Sequence, residues 1–258
     1  MNKGLKHSVY KNNKKMFALY KKEFIQFFSS PVGYIALAVF FLLNSLFLWI
    51  IEGNYNIPNS GFAELTPFFQ LAPWILMFVI SAISMRSFSE ELKSGTIETL
   101  LTKPITKIKI ILAKFLAVWS VSLIMLIPTF IYVISINQLS MEGQHPDTGI
   151  IFSGYMALFL LTGIFSAIGV FSSLLFNSQV NAFLIALVLM FLLFYGLEGI
   201  GNFNLLGSMD YYFQKMSLDY HYSNIIKGLI KLSDIIFMLS VGAIFIIISN
   251  NILNKKIN

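Results

Sequence analysis

Residues 150–176 read IIFSGYMALFLLTGIFSAIGVFSSLLF, an apolar run without one charged side chain. A hydrocarbon core about 30 Å thick takes about 20 helical residues to cross, with about 17 to 25 tolerated. Five more runs of this kind flank it, at 32–51, 68–84, 108–136, 182–200 and 235–249. Most have the length of a crossing. The last is short unless it begins near Leu229 or continues to Leu253. Lipid supplies no partners for backbone N–H and C=O groups, so each run is expected to be a helix that satisfies its own. The expected fold is all-α, a polytopic membrane protein with six transmembrane helices.

Composition agrees. The 258 residues are 57% hydrophobic with a mean hydropathy of +0.75, whereas apolar residues make up about half of a soluble domain. Six helices and their loops use nearly the whole length, so 1–258 is read as one membrane domain with no room for a separate soluble catalytic domain. A net charge of +6 is compatible with a nucleic-acid partner, but its distribution argues against one. Of 18 basic residues, seven precede the first run and six lie between Arg86 and Lys114. The segments 52–67 and 137–149 have none. By the positive-inside rule both termini and the 86–109 loop are cytoplasmic, and 201–234 is non-cytoplasmic. There is no cysteine, which excludes disulfides and thiolate metal sites. The N-terminus lacks the short apolar core and small-residue cleavage site of a signal peptide.

The segment 14–30 is expected to be an interfacial amphipathic helix ending in the elbow Ser29-Ser30-Pro31. At 100° per residue Phe17, Tyr20, Phe24, Phe27 and Phe28 gather on one side and Lys15, Lys22 and Gln26 oppose them. Leu19 falls on the polar side. Pro128 is expected to interrupt the third helix. Gly163, Ser166, Ala167, Gly169 and Ser173 give the fourth a small-residue face, for packing within the subunit or against another. A connection as long as 201–234 is expected to contain short interfacial or re-entrant helices, and its tyrosines suit the headgroup level. Asn44, Gln179 and Asn181 are expected to hydrogen bond between helices.

The 86–109 loop has a clear local grammar. The second helix is expected to run on through Glu90 and Glu91, with Gly95 as a left-handed stop. Thr96 can cap a short new helix, with Glu98 in its first turn favoured by the dipole. Ile97, Leu100 and Leu101 then share one apolar face, and Pro104 ends the element. A helix this short does not hold alone in water. Its apolar face wants either a groove in a partner or the membrane domain itself.

The run from Glu90 to Ile105, EELKSGTIETLLTKPI, resembles the cytoplasmic loop of ABC-2 type transporter permeases, and the similarity continues to Lys109 and Lys114. The opening FALYKKEFIQFFSSPVGY, ending at Tyr34, is similar to the gliding-motility-associated ABC transporter permeases of Bacteroidetes. It is also similar to permeases linked to nitrous-oxide reductase maturation. The resemblance implies a subunit of the bacterial cytoplasmic membrane that pairs with a second permease chain, identical or related. It implies a cytoplasmic ABC ATPase subunit, which binds the ATP and Mg, and it leaves room for an auxiliary periplasmic or membrane subunit. In that family a short helix here couples the two parts, which implies a coupling role for Glu90, Glu91, Gly95, Thr96, Ile97, Glu98, Leu100, Leu101 and Pro104. No cofactor, metal or catalytic residue is expected in this chain.

Missing motifs support that. There is no Gly-x-x-x-x-Gly-Lys-[Ser/Thr] phosphate loop, no His-Glu-x-x-His and no Gly-x-Ser-x-Gly turn, and His7, His145 and His221 are scattered. Glu198, read as the only acid near a span, is the candidate for a transport pathway. Its neighbours Gly196, Gly199 and Gly201 suggest instead a helix fraying into the interface. The alternative to transport is a membrane scaffold for a motility or maturation complex, which would not need the coupling loop.

Overall fold

The computed structural model describes residues 3–102, 104–140, 146–202 and 207–255. Among them helix is the only regular structure, and six helices are long and apolar enough to cross a membrane. These are Pro31–Ile50, Thr66–Ser94, Lys107–Leu139, Thr148–Leu175, Gln179–Gly201 and Leu232–Lys255, here the first to sixth spans. The protein is a multi-pass membrane protein. With six crossings both termini leave the bundle at one end, the terminal side, and the opposite end is the far side. The sixth span is long enough because it starts at Leu232 and runs on past Leu253.

The fourth span is the centre of the fold. It packs against the second, third, fifth and sixth spans, and its small residues explain how. A Cβ on Gly169 would lie 2.0 Å from Ser84 Oγ, and one on Gly154 would lie 2.3 Å from the Phe69 ring. Only glycine lets the second span come so near. The small-residue face therefore serves packing within the chain.

Helix irregularities fall where backbone chemistry requires them, and in two places where the sequence does not announce them. Pro128 lacks an N–H, and the third span passes through a 3₁₀ turn at Ile127–Thr129. The first span ends in a π-helical segment, Leu46–Ile50, and the fifth contains another, Leu192–Gly196. Asn44 is buried, but its amide donates to Phe40 O of its own helix at 2.7 Å rather than across helices as expected.

The amphipathic helix covers Lys3–Phe28 and lies along the third span. Its buried side is the expected one, with Tyr20, Phe24, Phe27 and Phe28 on the core, except at two residues. Leu19 is 6% exposed, whereas Phe17 is 65% exposed. Met16, Tyr20, Phe24 and Phe27 pack on the core beside Leu19. The third span supplies a protein surface that a helix-in-lipid reading omits, and it takes in Leu19 beside the expected aromatic face.

In the 201–234 connection, residues 203–206 lie outside the described residues, as do 141–145 with His145. The described part contains the short helices expected, Asp210–Met216 and Leu218–Ile226, with a non-helical link at 227–231 before the sixth span. The second of these, the far-side helix, docks into the bundle. Tyr222 is 1% exposed and donates its hydroxyl proton to Phe69 O at 2.6 Å. Tyr211 and Tyr212 stay exposed, as residues at a lipid headgroup level should.

Candidate functional site

The expected loop forms with two changes. The second span continues from Ser84 to Ser94 with only Met85 between its two helical parts. Gly95 stops it in the left-handed region, at φ 70°. The loop helix then covers Thr96–Leu101. Thr96 is its first helical residue rather than its cap. Gly95 holds the capping position, and the Thr96 hydroxyl lies 2.8 Å from that of Ser94. The apolar face turns back on the membrane domain: Leu100 is buried, and Ile97 and Leu101 pack against the core. What the loop helix leaves outside is polar, namely Gly95, Thr96, Glu98, Thr99 and Thr102, with Pro104 beyond.

Behind this helix sits a buried cluster of charge. Lys114 lies two turns into the third span and is 1% exposed. Its Nζ donates to Glu23 Oε1 at 3.0 Å and to Ser87 O at 2.5 Å. Glu91 Oε2 stands 3.1 Å away, paired by charge without an aligned hydrogen bond. The Phe88 ring lies beneath the ammonium, 4.9 Å from it. An ammonium has three donors and no acceptor, so two carboxylates and a carbonyl complete its surroundings. Three separate elements thus meet on one cation: the amphipathic helix through Glu23, the helix leading into the loop through Glu91, and the third span. Glu90, one position before Glu91, is exposed.

A second titratable group occupies the far side. The fifth span does not fray at its glycines but continues as the helix Leu197–Asn202. Nor is Glu198 alone. Asp219 of the far-side helix hydrogen bonds to it, and burial together with that neighbouring carboxylate pushes Asp219 up to about 8. With a second carboxyl this close, Asp219 keeps its proton where an ordinary carboxyl would lose it. Above the pair, Trp74 and Tyr195 stack with ring centres 4.1 Å apart, beside a cavity of about 320 Å³ that also meets Tyr55 and Asp219. Next to it His221 places Nδ1 2.8 Å from Asp234 Oδ1 and Nε2 2.8 Å from Lys215 O, tying the far-side helix to the sixth span.

Neither cluster was assembled from the sequence. A lysine well inside an apolar run was a visible signal that it needs a partner, but its partners are 91 and 23 positions away. Asp219, His221 and Asp234 sit in or at the edge of a segment with no motif.

The sequence profile described as ABC-2 family transporter protein matches residues 17–254. The chain belongs to the ABC-2 transporter family. No protein of curated function matches it. As an ABC-2 chain with six apolar spans it is the membrane subunit of a transporter and is not itself catalytic. ABC-2 subunits work with an ATPase partner as a membrane dimer, so neither described cluster has to carry out chemistry. The Lys114 cluster lies at the terminal side of this ABC-2 subunit, and the far-side cluster sits at the opposite end.

Proposed function

We propose that Gly95–Pro104 is the element on which a separate ATPase subunit acts, and that the Glu23–Lys114–Glu91 cluster carries the displacement into the spans. The observation that supports this best is the cluster itself. A loop whose preceding helix shares a buried cation with the amphipathic helix and the third span cannot move independently of either. ATP and Mg belong to the ATPase. The contact surface is the polar edge of the loop helix, Thr96, Glu98 and Thr99, because Ile97, Leu100 and Leu101 are engaged within the chain.

On this reading the terminal side is cytoplasmic, consistent with its Lys and Arg content, and the membrane is the bacterial inner membrane. A second permease chain, identical or related, completes the pathway. The N-terminal likeness favours a gliding-motility-associated complex. Alternating states need differential contacts with the ATPase in its two nucleotide states, and the loop helix supplies a surface for them.

The chain has no cysteine, which makes a direct test simple. Thr99→Cys is expected to form a cross-link to the partner ATPase through a short bifunctional reagent, with a yield that changes when ATP is bound. Phe62→Cys, on an exposed far-side residue, serves as control. Cross-linking from the far-side position and none from Thr99→Cys would overturn the assignment.

A further inference from the structure

A cavity of about 120 Å³ opens between the amphipathic helix, the start of the first span and the terminal-side ends of the second and third spans. Its lining changes character with depth. Arg86, Glu90 and Lys114 stand at the terminal-side end, and Ile83, Val118 and Val121 lie further in. From Lys114 to Val121 the third span rises about 10 Å, at about 1.5 Å per residue. The cavity therefore runs from charged to apolar over about the depth at which a bilayer does the same.

Its charges are unequally satisfied. Lys114 is neutralised by Glu23 and Glu91. Among the described residues, neither Arg86 nor Glu90 forms an ion pair within 4.0 Å. They lie four apart on one helix, a spacing at which opposite charges ordinarily close on each other, and here both face the cavity without doing so. Arg86 Nη1 donates to Ser30 Oγ at 3.0 Å, while Arg86 Nε is buried with no partner. A buried guanidinium N–H without an acceptor requires an explanation, and the fork of Arg donors matches phosphate oxygens.

We propose that the Arg86–Glu90 cleft binds the headgroup of a zwitterionic phospholipid, with the phosphate on Arg86, the amine on Glu90 and an acyl chain along Ile83, Val118 and Val121. The juxtaposition selects this class. A free phosphate would meet the unpaired Glu90 carboxylate and leave the apolar floor unfilled. An anionic lipid meets the same carboxylate. A phosphoethanolamine headgroup pairs both charges and anchors its chain below them. The site lies where the amphipathic helix turns into the first span at Ser30, a position that a lipid of the nearer leaflet reaches from the side. Occupancy would brace the Lys114 cluster without taking part in it. The inference goes beyond the coupling reading and does not depend on it, because binding is read on the isolated chain.

The full-length chain, purified in detergent and stripped of lipid, is titrated with dihexanoyl-phosphatidylethanolamine, dihexanoyl-phosphatidylglycerol, glycerophosphoethanolamine and inorganic phosphate. Thermal shift and native mass spectrometry report binding. The ethanolamine lipid is expected to bind saturably, the glycerol lipid at least tenfold more weakly, and the two chainless probes not measurably. Arg86→Gln should weaken ethanolamine-lipid binding at least tenfold, and Glu90→Gln should remove the preference over the glycerol lipid. Val118→Trp, which fills the apolar end and leaves both charges in place, should also abolish binding. If Arg86→Gln does not fold, the other two variants decide. Unchanged lipid preference in Glu90→Gln, unchanged affinity in Val118→Trp, or binding of inorganic phosphate as tight as that of the lipid would each overturn the proposal.

Discussion

Lys114→Met keeps the length of the side chain and removes the charge at the centre of the terminal-side cluster. The ammonium stands 3.0 Å from Glu23 and 3.1 Å from Glu91, and is itself 1% exposed. At an effective dielectric of about 20, attraction across that distance is about 5 kcal/mol per carboxylate. Most of it offsets the cost of taking three charges out of water. What remains after losing one partner is the cost of stranding the others, about 3–5 kcal/mol for a buried cluster. The two carboxylates left facing each other are only 14% and 15% exposed, so water relieves them little. In a chain of this size 1 kcal/mol corresponds to about 2–4 °C, and Lys114→Met should therefore melt about 6–20 °C lower. Thermal unfolding of the detergent-purified chain measures this. The discriminating partner is the neutral triple variant Lys114→Met, Glu23→Gln, Glu91→Gln. Replacing a whole buried ion cluster by uncharged residues of similar size is often neutral, so the triple should recover most of the lost stability. It should still respond poorly to the ATPase, because uncharged groups transmit less between the three elements. A Lys114→Met variant as stable as the parent, or a triple as unstable as the single, would refute the reasoning.

Three further outcomes follow from packing and charge. Gly169→Ala places a methyl 2.0 Å from Ser84 Oγ and 2.6 Å from Ser84 Cβ. It should cost about 1–3 kcal/mol as an overpacked contact, with partial rescue by Ser84→Gly in a thermal double-mutant cycle. Leu100→Asp puts a charge on a side chain only 6% exposed within this chain. It should raise protease sensitivity of the 95–104 loop even without ATPase present, whereas Glu98→Gln on the polar edge should leave that sensitivity unchanged. Asp219 titrates at about 8 in the folded chain against an ordinary 3.8. Its contribution to docking the far-side helix is thus complete below the ordinary value and is lost as pH rises through about 8. Hydrogen exchange of residues 218–226, corrected for intrinsic rate, should show protection falling between about pH 4 and 8 and level above that in the parent, and flat throughout in Asp219→Asn.

The six spans were legible because the decision to cross a membrane depends on local composition, summed over one helix at a time. The stop at Gly95 and the break at Pro128 were legible for the same reason, as each follows from one residue's backbone chemistry. Leu19 was misplaced because its burial depends on the third span, which a helical wheel does not contain. The apolar face at Ile97, Leu100 and Leu101 was read correctly as a face, but the surface that receives it is tertiary. Glu198 shows the same limit more sharply. Beside three glycines it reads as an end residue at the water boundary, yet the fold brings Asp219 to it from 21 positions away.

The π-helical segment Leu192–Gly196 has an angular consequence for the fifth span. Its buried positions Ala182, Ala186, Met190 and Phe194 recur every four residues, and Glu198 falls on the same step. At about 100° per residue, each step of four in an α-helix overshoots a full turn by about 40°, so this series would wind through about 160° by Glu198. A segment hydrogen bonded from i to i+5 packs more residues into a turn and gives back part of that rotation. The π segment thus works as a phase correction: it lets a four-residue repeat stay against the fourth span and still deliver a carboxylate to Asp219. Shortening it by one residue would restore regular α-helix and swing Glu198 by about 100° relative to the residues that anchor the span, pointing it away from the Asp219 carboxyl.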